Sequence, residues 1–572
     1  MKTKLYTIYD KYFKSYIVLS IFIALSTVLG YTLGEKGRTF RTLPEFGWML
    51  VQVILLTVVT TLIINLLMRF MTRLREGEVK TRIGQKEHQN WQVFLFYTVV
   101  IFLCYLPIFL AYYPSVFAYD AEGQLYQVLA HDYSTHHPLV HTLFLGAFFN
   151  LGGNVLGSYS VGMAVHSIVQ MLLMAMIFGY ALTVLYQEKT SAVMRLILLV
   201  FYAIFPTNSI LAMSTTKDVL FSGLVLLFVI KMYQWSKELD GKSQNYEQGK
   251  AGHRKLFLSC FLLISVLMLL FRNNAVYAYI VSVPIILFSR RKDRKQMLQI
   301  GCMALVTMVL FVGCSSCLKV ATTARNGSPR EMLSVPLQQM ARTRVQHEEE
   351  LDAAMRTELD SYMSSEWIFA AYNPYLADPV KNRAVIHDNP VGLIKTWVKL
   401  GLQYPMTYVD AFLDNSIGYW YLADKSHSTI YGVGTESGFG YLSTDNRTMP
   451  TGCEIIEYSY LPQLRVFMEK IVSDNEYQKI PVLSVIFAPA FYWWLLCVYV
   501  VFFCKRKEYK MLLPIVFLMI YYLTLLLSPT VLIRYMYPFV VSVPMMLCLV
   551  SSKQGTMSEL SGENRQEVLK KD

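Results

Sequence analysis

Five short polar sets in an otherwise apolar chain combine residue types and spacings that can do chemistry. In Tyr119-Asp120-Ala121-Glu122-Gly123 two carboxylates stand one residue apart. Such a pair can hold a divalent cation or orient a hydroxyl group, or one member can act as general base while the other takes a different role. The same residues also suit a helix start, with Asp120 as N-cap and Glu122 in a first turn that favours negative charge. His136-His137-Pro138, with His131 and His141 nearby, offers metal ligands or acid–base groups. It equally suits the polar start of a helix with Pro138 in the first turn. Lys217-Asp218, Arg272-Asn273-Asn274 and Arg534-Tyr535 complete the set. Guanidinium groups stay charged and offer forked donors that match phosphate; otherwise such residues snorkel to a membrane surface.

What must position these residues is a membrane-embedded helical scaffold. Of 572 residues, 54% are hydrophobic and only 16% charged, and the mean hydropathy is +0.37. A soluble domain carries about 25% charged residues. The 14% aromatic content excludes a disordered chain, and the size excludes a small disulfide scaffold. A crossing helix needs about 20 apolar residues. Twelve stretches qualify, at roughly 15–34, 48–69, 92–112, 158–186, 196–214, 218–235, 256–271, 274–289, 297–318, 481–504, 511–529 and 532–550. The first follows Lys2, Lys4, Lys11 and Lys14 and has no clear cleavage site, so it reads as an uncleaved anchor. A thirteenth run, 139–151, is short enough to lie on the surface as a juxtamembrane helix. With that assignment the basic loops around Arg73–Lys86, Lys189/Arg195, Lys237–Lys255, Arg290–Lys295 and Lys505–Lys510 fall on one side with both termini. By the positive-inside rule that side is the cytoplasm. The net charge of +12 is then an orientation signal, not the mark of a nucleic-acid partner.

The expected fold class is an all-α polytopic membrane protein with external juxtamembrane helices and one external, mostly α domain. Its parts are two N-terminal spans with a cytoplasmic loop (1–91), a transmembrane core (92–319) holding a first external loop at 113–157, an external domain (320–480), C-terminal spans (481–550) and a cytoplasmic tail (551–572). The 113–157 loop has no Lys or Arg, yet it carries Asp120, Glu122, Asp132 and four of the ten histidines. In the external domain helical spacing covers Glu348–Met363 and Pro390–Leu413. Nearly every ionisable side chain sits at an outer helix end; His166 is the one candidate near mid-membrane, which argues against an ion-coupled transporter. The nine cysteines, mostly within spans, form neither a disulfide framework nor a zinc pattern.

An acidic motif just after a span, a short helix opening with His-Pro, and a returning span at 158–186 together resemble the GT-C glycosyltransferase superfamily, which includes protein O-mannosyltransferases, the aminoarabinose transferase of lipid A and oligosaccharyltransferases. Asp120 and Glu122 match its first-loop acidic motif, Thr215-Thr216-Lys217-Asp218 resembles its second acidic position, and Leu532 to Pro538 resembles its R-Y-x-x-P segment near the lipid phosphate. More closely, Tyr113-Pro114-Ser115 through Asp120 with His136-His137-Pro138 is similar to an uncharacterised Gram-positive polytopic family grouped with that superfamily. The resemblance implies an inverting transfer of sugar from a polyprenyl-phosphate carrier to an envelope glycan, lipid or protein acceptor, at the outer face of the cytoplasmic membrane. Asp120 would be the general base. Glu122, with His136 and His137, would orient the sugar or hold a divalent cation, the one cofactor implied. Arg272, Arg534, Lys217 and Asp218 would line the substrate site, with the cations on the departing phosphate. Two other readings stay open: an envelope polysaccharide polymerase or ligase dependent on Arg342 and Arg344, and a non-enzymatic lipid or glycan transporter.

Overall fold

The structure is a computed structural model that describes residues 14–76, 89–117, 120–239, 251–386, 390–424, 449–472 and 476–552. The basic residues before Lys14, those at 80–86 and 242–250, the Gly-containing stretch before Met449 and the polar tail lie outside the described residues.

The apolar runs of Leu, Ile, Val, Met and Phe form helices because a helix pairs every backbone N–H and C=O within the segment, which lipid requires. In chain order these are α1 (Lys14–Lys36), α2 (Leu43–Arg75), α3 (Asn90–Ala111), α4 (Asp120–Ala130), α5 (Leu139–Asn154), α6 (Tyr159–Gln187), α7 (Ala192–Ile204), α8 (Pro206–Met213), α9 (Asp218–Leu239), α10 (Ala251–Phe271), α11 (Asn273–Ser289) and α12 (Arg294–Ala321). A segment of shorter helices follows as α13 (Ser334–Gln346), α14 (Ala353–Tyr362), α15 (Ser365–Ala371), α16 (Asp378–Arg383), α17 (Pro390–Gln403), α18 (Pro405–Trp420) and α19 (Pro462–Val472). The chain ends with α20 (Pro481–Phe487), α21 (Pro489–Lys505), α22 (Val516–Leu525) and α23 (Ile533–Cys548). Among the described residues, 8 helices are long and apolar enough to cross a membrane, and two bent pairs, α7–α8 and α20–α21, bring the number to 10. α11 and the Tyr509–Leu525 helix are apolar but shorter. The chain is an all-α polytopic membrane protein.

Starts and breaks follow local chemistry. Thr42 caps α2 by accepting from Glu45 N, Ser158 caps α6 by accepting from Val161 N, and Asp293 caps α12 by accepting from Gln296 N. Pro206 and Pro489 disfavour helical backbone at the preceding residue. Phe205 and Ala488 are accordingly extended, and the axes bend by 47° and 77° there. The centre of the bundle is α9 and α23, whose apolar windows are 78% and 83% buried; α12, at 17%, turns most of its surface outward to lipid.

The 334–420 segment packs a core of its own, with Leu337, Met340, Leu359, Val380, Leu393 and Leu400 at its centre. The expected helix from Glu348 begins only at Ala353, where Asp352 provides the cap, and Pro405 splits the expected 390–413 helix into α17 and α18. α18 is tied to the α1–α2 loop: Arg41 and Thr39 bond Asp410, and Arg342 of α13 bonds both Asp414 and the Gly37 carbonyl.

Two close approaches place the 113–157 segment. A Cβ on Gly152 would lie 2.6 Å from Gly162 Cα, so these glycines let the backbones of α5 and α6 touch. Farther out, Ser134 and Arg325 form a parallel bridge, with Arg325 N donating to Tyr133 O and Thr135 N to Arg325 O, both at 2.9 Å. A Cβ on Gly327 would come within 3.1 Å of the His136 backbone. The strand-like contact clasps the histidine loop to the chain at 325–327.

Candidate functional site

A cavity of about 900 Å³ lies where the helix ends meet the segment of shorter helices that begins near Asn326. Its inner part is formed by Asp120 at the start of α4, His136 and His137 before α5, Lys217 before α9, Arg272 and Asn273 at the α10–α11 junction, and Arg534 and Tyr535 in the first turn of α23. Its outer part is formed by 326–328, Glu331 and Met332 and by α16, including Asp378, Lys381 and Asn382.

Asp120 is the hub. Its Oδ2 accepts from Lys217 Nζ at 2.8 Å and from Arg534 Nη1 at 2.9 Å. Burial alone would push its carboxyl up; Lys217 and Arg534 outweigh that and hold it well below the usual carboxylate range. Lys217 Nζ also lies 3.0 Å from His137 Nδ1. Burial, then repulsion from Lys217, pushes the His137 imidazole down to about 3. It is therefore neutral near pH 7, and with Nδ1 facing the ammonium its proton sits on Nε2. Burial likewise lowers Lys217, with Asp120 offsetting part of the effect.

A second carboxylate lies behind the first. Asp218, buried at the start of α9, pairs with Arg272, lies 3.4 Å from Arg534 Nη1 and accepts from Thr216 Oγ1 at 3.0 Å. Tyr535 presents its ring to both guanidiniums, with Arg272 Cζ 4.7 Å and Arg534 Cζ 4.9 Å from the centroid. Three cations thus surround two carboxylates, and Lys217, Arg272 and Arg534 all reach the cavity while Asp218 does not. Such a wall can accommodate an anion.

Glu122 lies elsewhere. Two residues along a helix rotate the side chain by about 200°, so with Asp120 facing the cavity Glu122 is buried on another side of α4 and is not part of the lining. Among the described residues no group of three or more His, Cys, Asp or Glu side chains is placed to hold a metal ion. His136 is turned toward Glu331, with Nδ1 3.9 Å from Oε1, and His137 toward Lys217, so the donor set Glu122–His136–His137 is not assembled. His141 is in the interior, with Nδ1 3.1 Å from Gln124 Oε1, and His166 is buried against Phe144 and Phe148. Arg342 and Arg344 are 2% exposed and do not line the cavity; Arg344 pairs with Glu348 and Asp360.

Residues 130–563 match the model of a family described as "Family of unknown function (DUF6020)". The chain belongs to that family. No curated protein and no solved structure matches it. Within DUF6020's matched region lie His136, His137, Lys217, Asp218, Arg272 and Arg534; Asp120 and Glu122 precede it. Sequence reasoning did not single out Glu331, Asp378 or Lys381. Each is a common polar residue in a polar context, and only the clasp at 133–136 and 325–327 brings them over the cavity.

Proposed function

We propose that this chain is a GT-C-like membrane glycosyltransferase that moves a sugar from a polyprenyl-phosphate carrier to an envelope acceptor at the outer face of the cytoplasmic membrane. In this reading the eight long helices, the two bent pairs and the two shorter apolar helices make twelve spans with both termini inside. The observation that carries the reading is the cavity at the helix ends where Lys217, Arg272 and Arg534 converge on Asp120. Forked guanidiniums and an ammonium suit a sugar-linked phosphate, and the carboxylate among them suits an attacking hydroxyl.

The chemistry follows from the pairings. The phosphate of the donor competes with Asp120 for Lys217 and Arg534. As the cations turn to the phosphate, the Asp120 carboxylate loses the partners that suppress its basicity and can take the proton of the acceptor hydroxyl. The hydroxyl oxygen bonds to the anomeric carbon from the face opposite the phosphate. The carbon–oxygen bond to the phosphate breaks with its electron pair staying on the phosphate, where Arg272 and Arg534 stabilise the charge. His137, neutral with its proton on Nε2, can donate to the sugar or the phosphate. The purified protein, given polyprenyl-phosphate sugars in detergent or liposomes, should release free polyprenyl phosphate, and Asp120→Asn should slow that release by about two to four orders of magnitude. Full activity in Asp120→Asn would eliminate Asp120 as the base, and absence of release with every carrier-linked sugar would remove the reading itself.

A further inference from the structure

The two ends of the cavity carry opposite charge. At the inner end Lys217, Arg272 and Arg534 face Asp120 and Asp218, an excess of one positive charge over this cluster. On the outer wall Lys381 bridges Glu331 at 2.8 Å and Asp378 at 2.7 Å, an excess of one negative charge. The Lys381 side chain is 5% exposed, whereas those of Glu331 and Asp378 are 42% and 40% exposed. What this wall offers a ligand is therefore carboxylate oxygen, with the lysine acting from behind as an organiser. Two nearby cations do not alter that face: Arg330 is directed to the Asn382 carbonyl and Lys319 to Asn326 Oδ1, and neither lines the cavity; His136, which does, stands 3.9 Å from Glu331 Oε1, beyond hydrogen-bonding distance.

The wall is also fixed in place. Ala377 N donates to Pro529 O at 2.8 Å, next to the α23 turn that carries Arg534, and Gly327 N donates to Thr135 Oγ1 at 2.9 Å beside the histidines. Asn326 and Asn382 border it with groups that can donate and accept. The volume of about 900 Å³ lies at the upper end of the range for small-molecule sites, roughly 300–1,000 Å³. One ligand can therefore reach both ends.

Resting on the glycosyltransferase reading, we propose that Glu331 and Asp378 form the subsite for the sugar attached to the phosphate, and that this subsite selects an uncharged or amino-substituted sugar and rejects one bearing a carboxylate. Carboxylate oxygens accept short, strong hydrogen bonds from hydroxyl or ammonium groups. A uronate would meet them as a like charge, which is how polar sites discriminate between substrates of one shape. Phosphate at the inner end and sugar at the outer end match the two signs of the cavity in one orientation only.

The test uses the full-length protein in detergent or nanodiscs and four soluble probes: inorganic phosphate, glucose 1-phosphate, glucosamine 1-phosphate and glucuronic acid 1-phosphate. The two sugars without a carboxylate should bind at least about tenfold more tightly than the glucuronate, about 1.4 kcal/mol. In Glu331→Gln/Asp378→Asn that preference should shrink to within about twofold while inorganic phosphate binds as before. Should the double variant not fold, Glu331→Gln alone, on a half-exposed side chain, should lose part of the preference. Equal binding of all three sugar phosphates, or a preference that survives both substitutions, overturns the proposal. Inorganic phosphate that binds without any sugar preference defeats this inference and leaves the phosphate site standing. Failure of every probe to bind defeats both.

Discussion

A double-mutant cycle on Asp120 and Arg534 measures whether the charge cluster is a coupled unit, which the proposed release of Asp120 by phosphate requires. Asp120 Oδ2 accepts two charge-assisted hydrogen bonds, at 2.8 Å and 2.9 Å. Each such bond contributes about 1.5–3 kcal/mol net. Asp120→Asn keeps a carbonyl acceptor in the same place but removes the charge, so about half of the sum is lost, roughly 1.5–3 kcal/mol. The Asp120 side chain is 20% exposed to the cavity, which places the loss in the lower half of that range. Arg534→Met removes the bonds to Asp120 and Thr216 and the pairing with Asp218, leaving two carboxylates with fewer partners. Breaking a buried pair from one side costs about 3–5 kcal/mol. The double variant removes the shared bond only once, so the effects should fall short of additive by about 1–2 kcal/mol. Reversible titration of the purified protein with SDS in mixed micelles, followed by circular dichroism, gives the three free-energy changes. Additivity within about 0.5 kcal/mol would refute the coupling, and with it the argument that an anion taking Arg534 changes the state of Asp120.

Three further outcomes follow from the same geometry. His137 is held at about 3 against an ordinary value of about 6.5, so below pH about 6.5 the unfolded chain binds a proton that the folded chain does not. Stability present above pH 6.5 should decline progressively toward pH 3, and His137→Gln should flatten part of that decline, with buried His141, also pushed down, keeping the rest. Burial lowers His137 most and repulsion from Lys217 adds to it; an anion beside Lys217 cancels that second part, so phosphate should move the His137 titration upward, read by NMR of the imidazole, and a titration that phosphate leaves unchanged would contradict the assignment. Gly162→Leu should cost more than about 3 kcal/mol or prevent folding, because the α5 backbone already touches Gly162, whereas Gly34→Leu, where a Cβ meets nothing within 4 Å, should be tolerated; equal effects in a melting experiment would show that the α5–α6 contact is not close.

The scaffold was readable because lipid demands uninterrupted apolar helices: each of the twelve apolar runs coincides with a helix or a bent helix pair, displaced by a few residues at the ends. The bends were present in the sequence as Pro206 and Pro489, although a proline states where backbone leaves the helix and not by what angle. Glu122 illustrates a reading that helix geometry corrects. The sequence leaves the helix start and the paired carboxylates open together, but once Asp120 begins a helix its neighbour two residues on turns to another face. The structure takes the helix, and Asp120 goes to the cavity without Glu122.

What could not be read is the partnership. Asp120 and Arg534 are 414 residues apart, and Asp120 and Lys217 are 97 apart; no periodicity links them. Singly, each basic residue suits either a phosphate or the membrane surface, and only their convergence separates the two. Snorkelling side chains point away from one another into water, because like charges gain nothing by meeting. Lys217, Arg272 and Arg534 instead crowd around two carboxylates that cancel only two of their three charges. A cluster serving stability alone would gain by closing that imbalance, since an uncompensated charge away from water is costly. The unmatched positive charge at the wall of an open cavity is therefore the feature that an anionic substrate would complete, and it makes phosphate affinity the measurement on which the functional reading depends.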